Sequence, residues 1–407
     1  MRDAVEAGRK QSVREFDYII TGGGAAGLSL VYHLGQAGLH NRQVLLIEQQ
    51  AKQRNDRTWC FWEIGAGPFE PVVARSWDRL WFHGPRVSDR IAIAPYRYKM
   101  IQGGDFYRFV HDWLAAQPWV HRLQGRVERI DPAPEGVCVQ VDGTQYRGRW
   151  AFNSIYVPQS PPPGHTYWLQ HFKGWVITTP RPVFDAEAAT FMDFRVAQGD
   201  DVRFVYVLPY DAHTALVEYT FFSAALAPQE LYDAGLKAYI GGHLGLTSYA
   251  IEHVEYGVIP MTDMRFVRRP GPHVMNIGTA GGMTKASTGY TFQRIQRQSA
   301  RIAASLRASG QPFYPEPPLS RHALMDSVLL NVLDSGRERG RVFFEQLFTR
   351  NSPQRVLRFL DEDTTLLEDL ALMATVNIPA FTLSTLEVAA RRACAALAGR
   401  PGDKVTG

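Results

Sequence analysis

Residues 16–38 read FDYIITGGGAAGLSLVYHLGQAG, and VLLIE follows at 44–48. The first six residues have the buried, β-branched character of a strand. The three consecutive glycines demand a tight turn, and the apolar residues after them recur at helical spacing. VLLIE is then a second buried strand, so the segment opens as a βαβ unit. Gly22, Gly24 and Gly27 hold the G-x-G-x-x-G spacing, with Ala25 at the start of the predicted helix. Such a turn brings backbone N–H groups and the positive end of a helix against a pyrophosphate. Glu48 closes the next strand about twenty residues on, where a carboxylate accepts hydrogen bonds from a ribose. Glycine turns also occur in ordinary βα units. Strand, glycines, helix, strand and acid in this order favour a dinucleotide site.

A second turn of the same texture lies far downstream. HVMNIGTAGGMTKASTGYTFQRIQRQSARIAASL (273–306) reads as strand, glycine turn (Gly278, Thr279, Ala280, Gly281, Gly282) and long helix. It supplies a second pole for a longer cofactor, which favours FAD over NAD; the plain alternative is a strand-to-helix loop. The first domain is therefore expected to be discontinuous, built from 15–75, 100–160 and 255–310. FYRFVHDWLAAQ (106–117) has the spacing of an amphipathic helix, and VERI, VCVQV and RWAFNSIYV between 127 and 157 read as strands. Prolines from 158 to 163 mark a change of domain. HFKGWVITT, TFMDFRV, RFVYVLPY and TALVEYTFF then predict a second, aromatic-rich sheet, assigned to 76–99 and 161–254. Residues 311–407 show helical spacing and no strand signals, and predict a helical C-terminal subdomain.

At 407 residues the chain can bury a large core, and 45% hydrophobic with 21% charged residues is globular composition. Forty-four basic against forty acidic residues leave a net charge of +4, which excludes a nucleic-acid binder by charge. Cys60, Cys138 and Cys394 lie far apart and support neither a disulfide framework nor a zinc site. No metal site is expected from the histidine spacing either. The charged first fifteen residues lack the apolar core of an export signal, so a cytoplasmic protein is expected. The charge-free stretch 150–172 is broken by prolines and Leu370–Leu386 contains Asn377 and Pro379, so no spanning helix is predicted.

Read together, the glycine opening, DRTWCFWE (56–63), HFKGW (171–175), FMDFR (191–195), FVYVLP (204–209), LVEYT (216–220) and IGTAGGMTKASTGYTF (277–292) resemble the flavin-dependent lycopene β-cyclase family of bacteria and plants. The resemblance covers roughly residues 16 to 300. It implies an α/β flavoprotein of the geranylgeranyl reductase and aromatic hydroxylase type: a Rossmann-like FAD-binding domain, an antiparallel substrate sheet and a helical C-terminal part. It implies closure of the acyclic ends of lycopene into β-ionone rings, with reduced FAD that undergoes no net redox change and NAD(P)H as an external reductant. Two departures stand out. Relatives in the wider flavoprotein group carry Gly-Asp at the second turn, where this chain has Gly278-Thr279, and a hydroxyl replaces only one hydrogen bond. The plant-type motif of two adjacent glutamates keeps only its first acid here, Glu218.

Ring closure needs a proton on a terminal alkene, attack of an internal double bond on the resulting cation, and loss of a ring proton. An alkene is a very weak base, so its acid must stay protonated at neutral pH in a dry pocket. Glu218 lies in the apolar run ALVEYTFF and shares a strand face with Leu216 and Thr220; its bland alternative is a solvent-facing or arginine-paired glutamate. An anionic reduced isoalloxazine would stabilise a cation by about 4 kcal/mol at roughly 4 Å and an effective dielectric near 20, and would also help keep Glu218 protonated. Trp59, Phe61 and Trp62 offer ring faces to a cation or are simply core. Arg57 and Thr58 fall to the flavin site by the resemblance, with an ion pair to Asp56 as the alternative for Arg57. Asp193 and Arg195 stand two apart on one strand face, the arrangement of a structural salt bridge, with Asp193 a second catalytic candidate.

A hydrocarbon substrate implies peripheral attachment to a membrane surface, because apolar area in water costs about 25 cal/mol per Å². The most apolar docking candidate is Leu366–Leu386, for which a core helix pair is the plainer reading. Besides a cyclase, a flavin monooxygenase or prenyl reductase on the same scaffold and a non-catalytic prenyl-binding protein stay open.

Overall fold

The structure is a computed structural model and describes residues 14–52, 54–315 and 320–398. Residues 1–13 of the stretch on which the export reading rests lie outside the described residues.

The chain runs β1 (Arg14–Thr21), α1 (Ala25–Gln36), β2 (Val44–Glu48), β3 (Thr58–Glu63), β4 (Val73–Trp77), β5 (Arg79–His83), β6 (Ser88–Ala92), β7 (Arg97–Gln102), α2 (Gly103–Ala115) and β8 (Val120–Gln124). It continues with β9 (Val127–Ala133), β10 (Gly136–Val141), β11 (Thr144–Asn153), β12 (Tyr167–Thr178), β13 (Ala189–Asp193), β14 (Val202–Pro209), β15 (Thr214–Ser223), α3 (Gln229–Gly242), β16 (Ala250–Thr262) and β17 (Val274–Asn276). Six helical segments follow: α4 (Phe292–Ser309), α5 (Arg321–Asp334), α6 (Gly340–Arg350), α7 (Pro353–Leu360), α8 (Leu366–Met373) and α9 (Ile378–Ala398).

The nucleotide-type sheet has the order β8-β2-β1-β11-β10-β9, with the short β17 alongside β11. Its central pairs, β8 to β2, β2 to β1 and β1 to β11, are parallel. Alternation sorts its side chains: Ile20 and Leu46 join the core under α1, α2 and α4, whereas Ile19, Leu45 and Ile47 fill a smaller core on the other face. Late in the chain, β17 returns to pair with β11 and α4 adds Phe292, Ile295 and Ile302 to the core under this sheet.

The second sheet runs β16-β12-β15-β14-β13-β5-β6. Its two faces carry different covers. Leu216, Phe204 and Phe222 pack with Phe344, Phe348 and Leu357 of the C-terminal helices, while Val217, Tyr219 and Phe221 pack with Tyr232, Leu236 and Tyr239 of α3. The C-terminal helices therefore share one core with the substrate sheet. A small sheet, β3-β7-β4, lies in the stretch between the first two β-strands and α2.

Four details differ from the sequence expectation. Residues 56–100 form five short strands, whose half-exposed faces and arginines blur any period of two. Residues 255–262, expected in the nucleotide domain, belong to β16 and pair with β12. The second glycine turn does not lead straight into a helix, because α4 starts only at Phe292. Helix α3 was not foreseen: Gly235, Gly241 and Gly242 lower its helical propensity, and Gly235 is required because a Cβ there would lie 2.1 Å from the Tyr219 ring.

Candidate active site

The glycine turn has the conformation the motif demands. Gly22 has φ +101°, a region that favours glycine, and donates its N–H to Ile47 O at 2.8 Å. A Cβ on Gly27 would lie 1.9 Å from Gly22 O, so only glycine lets α1 start directly beneath the loop. Glu48 accepts from Gly23 N at 2.5 Å through Oε2 and from Gln50 N at 3.3 Å through Oε1. The second turn abuts the first: a Cβ on Gly278 (φ +59°) would be 2.6 Å from Ala26 Cβ, and one on Gly281 would be 2.3 Å from Asn276 O. Gly282 (φ +75°) closes that turn. Gly278 N donates to Gln298 Oε1 at 2.9 Å, and the Thr279 hydroxyl lies 3.3 Å from that of Thr284.

Two cavities meet at this cradle. One, of about 490 Å³, is lined by Gly23, Glu48, Lys52, His111 and Arg122. The other, of about 420 Å³, begins at Gly24, Ala25 and Ala26, passes Arg57, Thr58 and Thr279, and ends among Leu208, Leu216 and Glu218 of the second sheet. Lys52 lines both. Backbone that no side chain could occupy, an acid at one end and a cavity running to the other sheet fit an extended dinucleotide such as FAD.

Of the predicted site residues, Gly24, Ala25, Arg57, Thr58, Thr279 and Glu218 line the second cavity and Glu48 the first. Arg57 is exposed, and its guanidinium donates to the carbonyls of Asp56 (2.9 Å) and Tyr256 (3.2 Å). The Asp56 carboxylate is instead held by Lys52 at 3.4 Å and by the Tyr107 hydroxyl at 2.9 Å. Asp193 is not among the residues lining the cavity. It is fully buried and accepts from Arg195 Nη2 (2.7 Å), Arg195 Nε (2.9 Å) and Tyr239 (2.7 Å). Burial opposes its ionisation, but these hydrogen bonds hold its carboxyl below the usual range. Asp193 is corrected from catalytic candidate to structural anion. Among the three aromatics of the DRTWCFW segment, Trp59 lines the cavity, whereas Phe61 stacks on Phe292 and Trp62 donates to Leu357 O at 3.2 Å in the core.

Glu218 is 9% exposed, and Thr220 Oγ1 donates to its Oε1 at 3.2 Å. Burial first, and Glu255 second, push its carboxyl well above the ordinary value of 4.5. Both causes favour the protonated form of the acid. Around it stand Cys60, Tyr206 and Tyr290, whose ionisation burial also suppresses, with Tyr98 OH 3.5 Å from Tyr290 OH. Sequence reasoning missed these tyrosines and Glu255, since they sit on separate strands and loops with no shared spacing. Gly289 was a readable signal within the quoted second-turn block: its φ is +72°, and a Cβ there would lie 2.2 Å from Gln170 Oε1.

A dinucleotide cradle joined through one cavity to a buried carboxyl on a second sheet, antiparallel except for the parallel β13–β5 pair, defines a scaffold of the flavoprotein type. Solved structures share it: a geranylgeranyl bacteriochlorophyll reductase-like protein from Thermoplasma acidophilum (TM-score 0.55, 11% identity, 95% of this chain and 98% of that one); a flavoprotein/dehydrogenase from Cytophaga hutchinsonii (0.60, 11%, 93% and 100%); and a flavin-dependent brominase (0.59, 13%, 93% and 99%). At such identities the likeness is one of fold. The profile of the family described as lycopene cyclase protein matches residues 17–389, and the chain belongs to that family. It is 26% identical over 309 residues to a lycopene beta-cyclase of Pseudescherichia vulneris, covering 73% of this chain and 76% of the relative. It is 24% identical over 318 residues to a chloroplastic neoxanthin synthase of Solanum tuberosum, covering 72% of this chain and 60% of that protein.

Proposed function

We propose that the protein is a lycopene β-cyclase that closes the acyclic ends of lycopene into β-ionone rings, an isomerisation, with Glu218 as the acid. The observation that carries the reading is a buried carboxyl in the lining of the same cavity that the dinucleotide cradle lines. Glu218 hands its proton to the terminal alkene, and the Thr220 hydroxyl stabilises the carboxylate left behind. The faces of Trp59, Tyr98, Tyr206 and Tyr290 line the space in which the tertiary cation forms, each ring face worth about 0.5–2 kcal/mol to it. Leu208 and Leu216 exclude water that would quench the cation.

Gly22, Gly24, Ala25, Gly27, Glu48, Arg57, Thr58, Gly278, Thr279, Gly281 and Gly282 would hold FAD. Bound FAD, reduced by NAD(P)H, supplies negative charge to a developing cation with no net redox change. Thr279 offers a hydroxyl to it where wider relatives offer a carboxylate.

The substrate, a bilayer-dissolved hydrocarbon, calls for peripheral docking of a cytoplasmic enzyme on a membrane. Leu366, Leu367, Leu370, Ile378, Leu383 and Leu386 of α8 and α9 are exposed, Leu367 by 78%, and support this face as the contact. No single helix among the described residues is long and apolar enough to cross a membrane.

The test is anaerobic incubation of pure protein with reduced FAD and lycopene in liposomes. A ring-bearing product of unchanged mass is expected. A product heavier by hydrogen would assign the chain to the reductase alternative, and one heavier by oxygen, formed only when the incubation is repeated in air, to the monooxygenase.

A further inference from the structure

Glu255 is separated from Glu218 by 37 positions in sequence, yet the two meet. Strands β15 and β16 flank β12, and the register sets both glutamates opposite Gly174. The absent side chain of Gly174 makes room for them: a Cβ there would lie 2.8 Å from Leu216 Cδ1, 3.1 Å from Glu255 Cγ and 3.4 Å from Glu218 Cβ. Glu255 is only 5% exposed. Its Oε2 accepts from Thr58 Oγ1 at 2.7 Å, while its Oε1 is buried with no donor. The two carboxyl-bearing side chains therefore lie side by side over Gly174. Two buried carboxylates at such close quarters repel each other, so one proton held between them relieves the pair.

We propose that Glu255 is a positioning residue that shares the proton of Glu218, so that the two carboxyls store it together over Gly174 until an alkene enters. This rests on the reading of Glu218 as the acid. Glu255 does not line the cavity and acts only through its partner. When the proton leaves, the Glu218 O–H bond breaks, a C–H bond forms on the alkene and the pair is left without a proton. The proton lost from the ring as it closes restores the balance of the isomerisation. An acid at position 219 could not serve, because its side chain would point to the opposite face, towards α3. The other titratable groups that face the pair are Cys60 from β3, Tyr206 from β14, Tyr290 from the loop before α4 and, beside Glu255, Tyr210. The cations Lys52 and Arg57 line the same cavity as Glu218.

The test follows the infrared carbonyl band of the protonated Glu218 carboxyl, identified by its loss in Glu218→Gln, through a pH titration of the full chain. In Glu255→Gln, which keeps its size and can still accept from Thr58, the midpoint should fall by about one pH unit or more. The alkaline limb of the rate profile should move with it while KM holds. Glu255→Asp should restore a raised midpoint. If Glu255→Gln does not fold, Gly174→Ala, which wedges the carboxyls apart, should lower the midpoint likewise. An unchanged midpoint in the folded variant overturns the proposal. A lowered midpoint in a protein that forms no rings at any pH would leave the pair standing and overturn the cyclase reading instead.

Discussion

Replacing Glu218 by glutamine tests the acid through stability as well as activity. The side chain keeps its shape and can still accept from Thr220, so little packing is lost. In the fold, burial and Glu255 raise the Glu218 carboxyl well above 4.5, whereas in the unfolded chain it titrates at its ordinary value. The folded protein therefore holds a proton that the unfolded chain releases. The stabilisation is fully present below the unfolded value and is lost as pH rises towards the folded value, at about 1.4 kcal/mol per pH unit. Glutamine has no such dependence. Urea unfolding of both proteins over a pH series should show the variant gaining on the parent at that slope from about pH 4.5 upward, and levelling only beyond the folded value. Ring formation should fall by at least the 10²–10⁴-fold typical of a lost general acid, with flavin still bound. A stability difference flat with pH would mean that Glu218 is ionised in the fold. Full activity in the variant would remove it as the acid.

Gly27→Ala forces a methyl to 1.9 Å from Gly22 O, so flavin retention measured by absorbance should collapse while the substrate sheet stays folded. Leu367→Asp with Leu370→Asp should abolish sedimentation with liposomes yet preserve turnover of detergent-dispersed lycopene; unchanged sedimentation would move the docking face elsewhere.

The glycine opening was legible because its chemistry is local: Gly22 and Gly27 are forced by backbone geometry within six residues, and Glu48 sits one βα step away. The long strands between 167 and 223 were legible for the same reason, as each is its own run of aromatic and β-branched residues. Residues 56–100 were not, because short half-exposed strands gain their order from the neighbours they join. The role of Asp193 turned on Tyr239, which belongs to a helix that the sequence did not announce.

Local sequence alone thus determined the nucleotide cradle, its late completion by a second glycine turn, and the face of β15 on which Glu218 stands. Tertiary structure alone decided that Glu255, Tyr206 and Tyr290 surround that acid, that Asp193 does not, and that the C-terminal helices cover the substrate sheet. The physical reason is range. Backbone strain and strand alternation act over a few residues and leave a mark in the chain, whereas the protonation of a buried carboxyl depends on whatever the register of distant strands brings beside it.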